Sequence, residues 1–410
     1  MTLIVKKGNI PATPHTEFYI IPNVLALEEI HGCYGFNGPY TRKIHLRSYP
    51  TEQSKSPKIS DFSLFIKTAA DKVLQPYHIL SQNIPYEKDF MRSRKPLLSG
   101  HKTIVSISKP KLSMNENEFF RNGERHEIIY VQNGTGILKT EYGELGFRSG
   151  LYLTIPKGTI YRLDLTSSDA IFFIIESQFP ITFPSHYMNS SGQATLMAPV
   201  VETEIEIPNF KEPVDKAGDY LLHIKHNGGH VTTINLSHHP FDIAGWEGAL
   251  YPFGFHIDNH HGIAREIHTA PPVRQTFQSG DGNTYGFSIC SFKSQMEGWH
   301  PKDIPAPYAH SNVDSDEVLF FASSSYTARE GVIGEGSITF HPGALPHSPH
   351  GDAAVKSMKE RAKVSNMLGV MIDTFFEELF VTDIGYEFRD KDYALSWYKA
   401  KTGVGSNPCA

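Results

Sequence analysis

Short apolar runs separated by turn residues dominate the chain. Stretches such as HKTIVSISKP, LYLTIPKGTIYRLDL, DAIFFIIE and GSITFHPG each place a few strand-forming residues between Gly, Pro, Asn or Asp. Runs of this length and spacing indicate β-sandwiches or small barrels. The pattern therefore predicts a mainly β fold.

Helical periodicity is scarce, and two stretches are the better candidates. NVLALEEIHGCYGF near the start and AAVKSMKERAKVSNMLGVMIDTFFEEL near the end have apolar residues at helical spacing. The second stretch is amphipathic and predicts a helix with a kink at Gly369. We expect a few helices at the periphery of the strands.

Two regions share one order of strands and turns. EIIYVQNGTGILKTEYGELGFRSGLYLTIPKGTIYRL and EVLFFASSSYTAREGVIGEGSITFHPGALPH both give strand, turn, strand, Gly, strand and a Pro/Gly turn. This repeat predicts an N-terminal segment plus one barrel within residues 1–185 and a second barrel at 275–355. Residues 186–274, which open with a Pro- and Ser-rich segment, are expected to connect them. Residues 356–410 are expected to form a C-terminal helical extension.

Composition excludes some classes of function. With 40% apolar and 20% charged residues, the 410-residue chain resembles soluble globular proteins, and its length favours two subdomains. A net charge of −6 without a long Lys/Arg cluster argues against a nucleic-acid partner. No secretory signal pattern and no apolar stretch of about 18 residues is seen, so we expect a cytoplasmic protein without a membrane partner.

Histidine is the unusual residue type. The chain has 21 His, whereas its 3 Cys are scattered and form no CxxC pair. Scattered thiols argue against a disulfide framework and against a thiolate zinc site. A chain rich in His and in turns is a reasonable place to look for a metal held by imidazole.

The second repeat carries two motifs at metal-ligand spacing. The pattern HxHx(3–4)E is met by His310 and Glu317, with Asn312 where a second histidine would stand. The pattern Gx(5)PxGxxH ends at His347, with the glycine of its turn one place early. This is the layout of a cupin, a small antiparallel barrel whose metal ligands come from these motifs. Two imidazoles and one carboxylate suit a non-haem Fe(II) site with open positions, and the same ligand types also suit zinc.

Neighbouring residues compete for these ligand roles. Asp314 and Asp316 fall in a polar turn, whereas Glu317 opens the apolar run VLFF, where a strand can fix its direction. In HSPHGD the spacing from the proline favours the first histidine over His350, and His341 is expected behind the ligands. The alternative is that the acids merely solubilise a hairpin tip.

A further group of histidines lies in FHIDNHHG. It contains His256, His260 and His261, and only Asp258 could complete a metal set with them. We therefore expect a loop near the site entrance.

The first repeat is expected to bind no metal. Its second motif matches closely from Gly150 to Gly158, but Tyr161 takes the place of the histidine. Upstream, His126 and Glu127 are adjacent and so point to opposite faces of a strand. A structural role is favoured.

These motifs, together with HGIAREIHTAPPV and LEEIHGCYGFNGPYTRKIHLRSYPTEQ, resemble homogentisate 1,2-dioxygenases, in particular the shorter bacterial branch of that family. The resemblance implies two cupin-like barrels of the double-stranded β-helix (jelly-roll) type with a few peripheral helices. It also implies Fe(2+)-dependent cleavage of homogentisate by O₂ to maleylacetoacetate, in tyrosine and phenylalanine catabolism. Assembly as a homotrimer or homohexamer is expected on the same ground.

The resemblance also implies roles for individual residues. The implied iron ligands are His310, Glu317 and His347, and the last is also expected to contact the substrate. The implied catalytic residue is His268, which would handle the proton of a substrate hydroxyl. The other implied substrate contacts are Tyr308, Tyr326 and Arg329, the arginine being suited to the substrate carboxylate.

Two other functions fit the same residues. A related cupin dioxygenase would cleave gentisate, hydroquinone or a substituted homogentisate. A non-catalytic cupin would bind a metal or a small ligand without consuming oxygen. The open metal positions favour an enzyme, because a storage site has no need of them.

Overall fold

Strands are the main element of the chain, in agreement with the expected mainly β fold. The computed structural model describes residues 3–47, 57–70, 73–196, 198–261, 263–265, 268–273, 275–280, 286–294, 296–298, 300–323, 331–350 and 353–398. The strands in these ranges are β1 Val5–Gly8, β2 Tyr19–Ile21, β3 Val24–Leu25, β4 Leu27–Gly32, β5 Tyr40–His45, β6 Lys58–Ile59, β7 Tyr77–Leu80, β8 Arg94–Ser99, β9 Thr103–Ser108, β10 Glu118–Asn122, β11 His126–Asn133, β12 Gly136–Thr140, β13 Gly143–Phe147, β14 Leu151–Ile155, β15 Ile160–Leu165, β16 Ile171–Ser177, β17 Ile181–Thr182, β18 Ile205–Glu206, β19 Ala217–His226, β20 His230–His238, β21 Ile243–Gly248, β22 Phe253–His256, β23 Ile263–Arg265, β24 His268–Val273, β25 Gln275–Ser279, β26 Phe287–Phe292, β27 Met296–Glu297, β28 Glu317–Phe321, β29 Ser337–His341, β30 Lys363–Val364, β31 Gly369–Thr374 and β32 Phe380–Val381.

Helices are short and few. The α-helices of the described ranges are α1 Ala353–Ser357 and α2 Asp383–Glu387, and the 3₁₀ turns are Tyr34–Phe36, Ser81–Asn83, Ser185–Tyr187, Glu202–Glu204, Ile257–Asn259, Met358–Glu360 and Tyr393–Leu395. None of the described helices is long and apolar enough to cross a membrane.

Three large sheets form the body of the protein. The outer sheet has the order β13-β12-β15-β10-β19-β20-β6, the central sheet β18-β22-β14-β11-β16-β9-β8-β32, and the site sheet β17-β25-β26-β31-β28-β29-β7. A smaller N-terminal sheet has the order β1-β21-β5-β4.

The central sheet packs on both of its faces, because successive side chains of a strand point to opposite sides. In β11, Ile129 and Val131 pack with residues of the outer sheet and form the core of the first barrel. Ile128 and Tyr130 of the same strand pack with residues of the site sheet and form a second core.

The site sheet contributes one face to this second core. Val318 and Phe320 of β28 belong to it, and the Phe320 ring stacks on Phe173 with centroids 4.6 Å apart and an interplanar angle of 8°. The alternate residues Glu317 and Leu319 therefore point to the other side of the sheet. Leu319 lies there in a separate small core.

Both stretches predicted to be helical contain strands instead. The N-terminal stretch contains β3 and β4, and β4 pairs with β5 along its whole length. The C-terminal stretch is helical only at α1 and the 3₁₀ turn after it, whereas Gly369–Thr374 is β31, which pairs with β26 and β28. Pairing on both edges and burial of Val370 and Ile372 in the second core override the local helical spacing.

The sheets also cross the expected domain boundaries. Residues 186–274, expected to be a connection, supply β19 and β20 to the outer sheet and β22 to the central sheet. From the N-terminal segment, β7 pairs with β29 of the site sheet, and β32 of the expected helical extension pairs with β8. Neither barrel is therefore built from one continuous segment.

The second motif folds into the same turn in both repeats. Gly150 and Gly336, which open it, have φ of 86° and 80°, and Gly158 and Ala344 have φ of 88° and 61°. This left-handed conformation favours glycine. The turn of the second repeat keeps it even though alanine stands at the glycine position.

The stack of Phe320 on Phe173 should stabilise both barrels at once. We expect Phe320→Ala to lower the free energy of unfolding by about 3–5 kcal/mol, because a buried ring is lost and a cavity remains. Urea denaturation measures this change. Phe376→Ala, at a ring that is 70% exposed, is the matched control, and an equal loss in both variants would contradict the prediction.

Candidate metal centre

Three side chains from the two sequence motifs converge on one point. One ligand atom each from His310, Glu317 and His347 lies within 4.8 Å of the other two. His310 Nε2 is 3.4 Å from Glu317 Oε2, and His347 Nε2 is 3.5 Å from Glu317 Oε1. The structure thus brings together the residues that the motif spacing selected as ligands.

The two histidines are held together by their backbones. His310 precedes β28 and His347 follows β29, and these strands are antiparallel neighbours, so both residues lie at the same end of the hairpin. The His310 N–H donates to His347 O at 3.0 Å, and the His347 N–H donates to His310 O at 2.9 Å. Their ring centroids are 4.2 Å apart. The hairpin therefore places both imidazoles before any metal is bound.

Backbone carbonyls orient both imidazole rings. His310 Nδ1 lies 3.1 Å from Tyr308 O, and His347 Nδ1 lies 3.3 Å from Leu345 O. Because a carbonyl only accepts, each Nδ1 carries the hydrogen, and the neutral ring presents the lone pair of Nε2 to the centre. His347 Nε2 is buried without a hydrogen-bond partner. A buried polar atom of this kind calls for a ligand, and the donor set fits a divalent metal.

His341 lies behind the candidate ligands. It stands directly opposite Glu317 in the β28–β29 pair. Its Nδ1 is 2.8 Å from Glu317 Oε1, and its Nε2 is 3.1 Å from the Tyr393 hydroxyl. The chain Tyr393–His341–Glu317 fixes the direction of the carboxylate, which is how outer partners usually support a metal ligand.

Burial and the neighbouring histidines have opposite effects on the pKa of Glu317. Burial raises its pKa, but the contacts with the imidazoles of His310, His341 and His347 outweigh burial and hold the pKa well below its usual range. The same contact with Glu317 raises the pKa of His310. The carboxylate is therefore ionised, and a metal has to compete with a proton for the imidazole.

Asp373 is a second carboxylate at this centre, and sequence reasoning missed it. It lies on β31 directly opposite Glu317, and its Oδ1 is buried without a hydrogen-bond partner. Burial, followed by the nearby charge of Glu317, raises the pKa of Asp373 to about 7. The residue falls in a stretch whose spacing predicted a helix. The alternation of Val370 and Ile372 with Met371 and Asp373 was the signal that could have indicated a strand.

Of the other acids of the turn, Asp316 has a structural role and Asp314 does not face the centre. Asp316 Oδ1 accepts from the Gly343 N–H at 2.6 Å, and its Oδ2 accepts from the Leu379 N–H at 2.6 Å. Asp314 is exposed. Asn312, where the motif has a second histidine, accepts a hydrogen bond from the turn after β29 through its backbone carbonyl.

The remaining candidate histidines contact other groups. His350 Nε2 is 2.9 Å from Ser396 Oγ. His256 and His260 each lie 3.1 Å from a backbone carbonyl oxygen, and the side chain of His261 is 59% exposed. None of them belongs to the ligand group found among the described residues.

The structure describes only some of the residues expected at the substrate. Tyr326 and Arg329 lie outside the described residues. The backbone of His268 opens β24, and its side chain lies outside the described part. Tyr308 is at the rim of the centre, 55% exposed, with its ring centroid 6.1 Å from that of His310.

The first barrel holds ion pairs where the second holds the ligand group. Glu127 Oε2 accepts from the Tyr161 hydroxyl at 2.9 Å, and Glu127 Oε1 accepts from Arg94 Nη1 at 2.6 Å. His126 points away from this interior, and its Nδ1 accepts from the Lys157 N–H at 3.1 Å. The candidate metal group found among the described residues is the one in the second barrel.

Comparison with known proteins agrees with the family resemblance. Residues 99–257 match the family described as homogentisate 1,2-dioxygenase N-terminal. A protein of Saccharolobus solfataricus named "Putative dioxygenase" is 30% identical over 406 residues, which cover 97% of this chain and 100% of the relative. The chain belongs to the homogentisate 1,2-dioxygenase family.

Other relatives share less of the chain. The homogentisate 1,2-dioxygenase of Emericella nidulans is 27% identical over 225 residues, which cover 52% of this chain and 47% of that enzyme. A cupin 2 conserved barrel domain protein from Leptotrichia buccalis aligns over 75% of this chain and 100% of its own, with 10% identity and a TM-score of 0.32. The matched family residues end at 257, before the candidate ligands.

The ligand assignment predicts that substitutions of His347 and His350, three positions apart, have different effects on metal binding. We expect His347→Ala to weaken Co(II) binding by more than about 100-fold, beyond the roughly 10- to 100-fold effect of losing an outer partner. His350→Ala should bind Co(II) like the unchanged protein, because His350 contacts Ser396 instead. Titration followed by the absorption spectrum of Co(II) measures both, and a weakened His350→Ala protein would contradict the assignment.

Because His126 is buried, we expect the protein to lose stability in acid. Burial lowers the pKa of His126 to about 3 from an unfolded value of 6.5, so the unfolded chain binds the proton more readily. The stabilising effect is complete above pH 6.5 and is lost as pH falls toward 3, by about 1.4 kcal/mol per pH unit. Urea denaturation at pH 6.5 and pH 5 should show a smaller loss of unfolding free energy in His126→Gln than in the unchanged protein. His101→Gln, at an exposed site, should keep the original slope.

Proposed function

We propose that this chain is an Fe(II)-dependent dioxygenase that opens the ring of homogentisate with O₂ and yields maleylacetoacetate, in tyrosine and phenylalanine catabolism. The observation that carries the proposal is the convergence of His310, Glu317 and His347. Two imidazoles and one carboxylate are the ligand set of non-haem Fe(II) oxygenases. Family membership and the name of the fungal relative support the same reaction.

The chain's own residues hold the metal in a prepared site. Nε2 of His310, Nε2 of His347 and the carboxylate of Glu317 would bind it, with both rings already oriented by backbone carbonyls. When bound, Fe(II) supplies coordination positions for substrate and O₂ and the redox chemistry of ring cleavage. His341 keeps the Glu317 carboxylate in place from behind.

Substrate is expected to approach from the side of His310. The His310 side chain is 34% exposed, whereas those of Glu317 and His347 are 9% and 7% exposed. Tyr308 stands on this open side with an exposed ring. We infer that an aromatic substrate enters past Tyr308, while the buried side of the centre excludes water.

The family resemblance supplies the remaining roles in the proposal. His268 would hold the proton of a ring hydroxyl, Arg329 would bind the substrate carboxylate and Tyr326 would contact the ring. Assembly as a homotrimer or homohexamer is proposed on the same basis.

An oxygen-uptake assay tests the function. After anaerobic loading with Fe(II), we expect the protein to consume one O₂ per homogentisate and to produce a new, strongly absorbing ring-opened product. Glu317→Gln should lose most of this turnover, because the only carboxylate of the ligand group is gone. His350→Ala, which contacts Ser396 instead, should retain it.

The same assay separates the alternatives. Faster oxygen uptake with gentisate or hydroquinone than with homogentisate would indicate a substrate with a different ring substituent. The name of the relative from Saccharolobus solfataricus does not specify a substrate. Tight Fe(II) binding with no uptake on any of the three compounds would contradict an enzyme and indicate a metal-binding cupin.

A further inference from the structure

Each barrel contains a pair of carboxylates that face each other across neighbouring strands. In the first barrel Glu127 of β11 lies opposite Glu176 of β16, and in the second Glu317 of β28 lies opposite Asp373 of β31. The strands are equivalent, since β11 lies between β14 and β16 in the central sheet and β28 lies between β29 and β31 in the site sheet. The two pairs therefore occupy the same place in the repeat.

The rings beside the two pairs are equivalent as well. Phe120 lies opposite Tyr161 in the first barrel, and His310 lies opposite His347 in the second. Phe120 and His310 each stand seven residues before the first acid of the pair. The second barrel thus has two imidazoles where the first has a phenyl and a phenol ring.

In the first barrel two cationic side chains neutralise the acids. Arg94 Nη1 is 2.6 Å from Glu127 Oε1, and Arg94 Nη2 is 2.9 Å from Glu176 Oε1. Lys225 Nζ pairs with the other oxygen of Glu176. All four side chains are only 1% exposed. Two buried negative charges are therefore balanced by two buried positive charges, as burial requires.

In the described part of the second barrel, no such cation accompanies the acids. Within the described ranges, the ion-pair partners of Glu317 are histidines, and Asp373 pairs with no lysine or arginine. Asp373 Oδ1 is buried and has no hydrogen-bond partner. Two buried carboxylates that face each other without a cation raise the free energy of the folded protein. A divalent metal would supply the two positive charges that Arg94 and Lys225 supply in the first barrel.

We propose that Asp373 is a fourth functional residue of the centre, a carboxylate that faces the bound cation together with Glu317 and accepts a hydrogen bond from a water or a substrate hydroxyl held there. This inference rests on the proposed metal dependence. Asp373 is not among the three residues whose ligand atoms converge, so it acts beside the ligands. As an acceptor it selects for a group that carries a hydrogen, which places a phenolic hydroxyl of the substrate, and not its carboxylate, on the Asp373 side.

Co(II) binding to the full-length protein tests this role. Asp373→Asn keeps the shape and removes the charge, so we expect the Kd for Co(II) to rise about 10- to 100-fold. The stability of the metal-free protein in urea should stay equal or increase, because two like charges no longer face each other. Asp314→Asn, at an exposed acid of the turn before β28, is the control and should change neither quantity.

The outcomes are distinct. Equal Co(II) affinity in Asp373→Asn and the unchanged protein would overturn the role of Asp373 and leave the three-ligand centre standing. Loss of metal-free stability together with affinity would show a structural aspartate and overturn it too. No binding of Co(II), Fe(II) or Zn(II) to the unchanged protein would overturn the proposed function itself. Weaker anaerobic binding of hydroquinone to Co(II)-loaded Asp373→Asn supports the hydrogen bond, and equal binding refutes it.

Discussion

Glu317 lies directly across from His341 on one side and from Asp373 on the other, on the face of the site sheet that points away from the core shared with the central sheet. A buried carboxylate beside a second carboxylate needs positive charge nearby. The first barrel meets this requirement with Arg94 and Lys225. In the described part of the second barrel, histidines surround Glu317 instead, which leaves a place suited to a divalent metal.

Strand alternation couples this centre to the packing of the whole protein. Val318 and Phe320 are held in the core between the central and site sheets, and their burial determines that Glu317 points to the opposite side. A shift of β28 by one residue would turn Glu317 into that core, so the apolar stack and the metal site are specified by the same register. The stack of Phe320 on Phe173 is therefore also a support for the ligand.

The repeat shows how one backbone serves two purposes. The turn that ends at Tyr161 and the turn that ends at His347 share left-handed residues at equivalent positions. Tyr161 donates a hydrogen bond to the buried acid of its barrel, whereas His347 presents an unpartnered Nε2. Exchange of a few side chains on the same strands separates an ion-paired interior from a candidate metal centre.

Local sequence by itself determined the β class, the repeat and the choice of His310, Glu317 and His347 as candidate ligands, because period-two runs, turn residues and motif spacing are short-range features. It also indicated that His126 and Glu127 do not point to the same site, since adjacent residues of a strand face opposite sides. Tertiary structure alone decided that Gly369–Thr374 is an inner strand, because two neighbouring strands satisfy its backbone and override its helical spacing. The same pairing places Asp373 beside Glu317, a contact between residues more than fifty positions apart that no local pattern records.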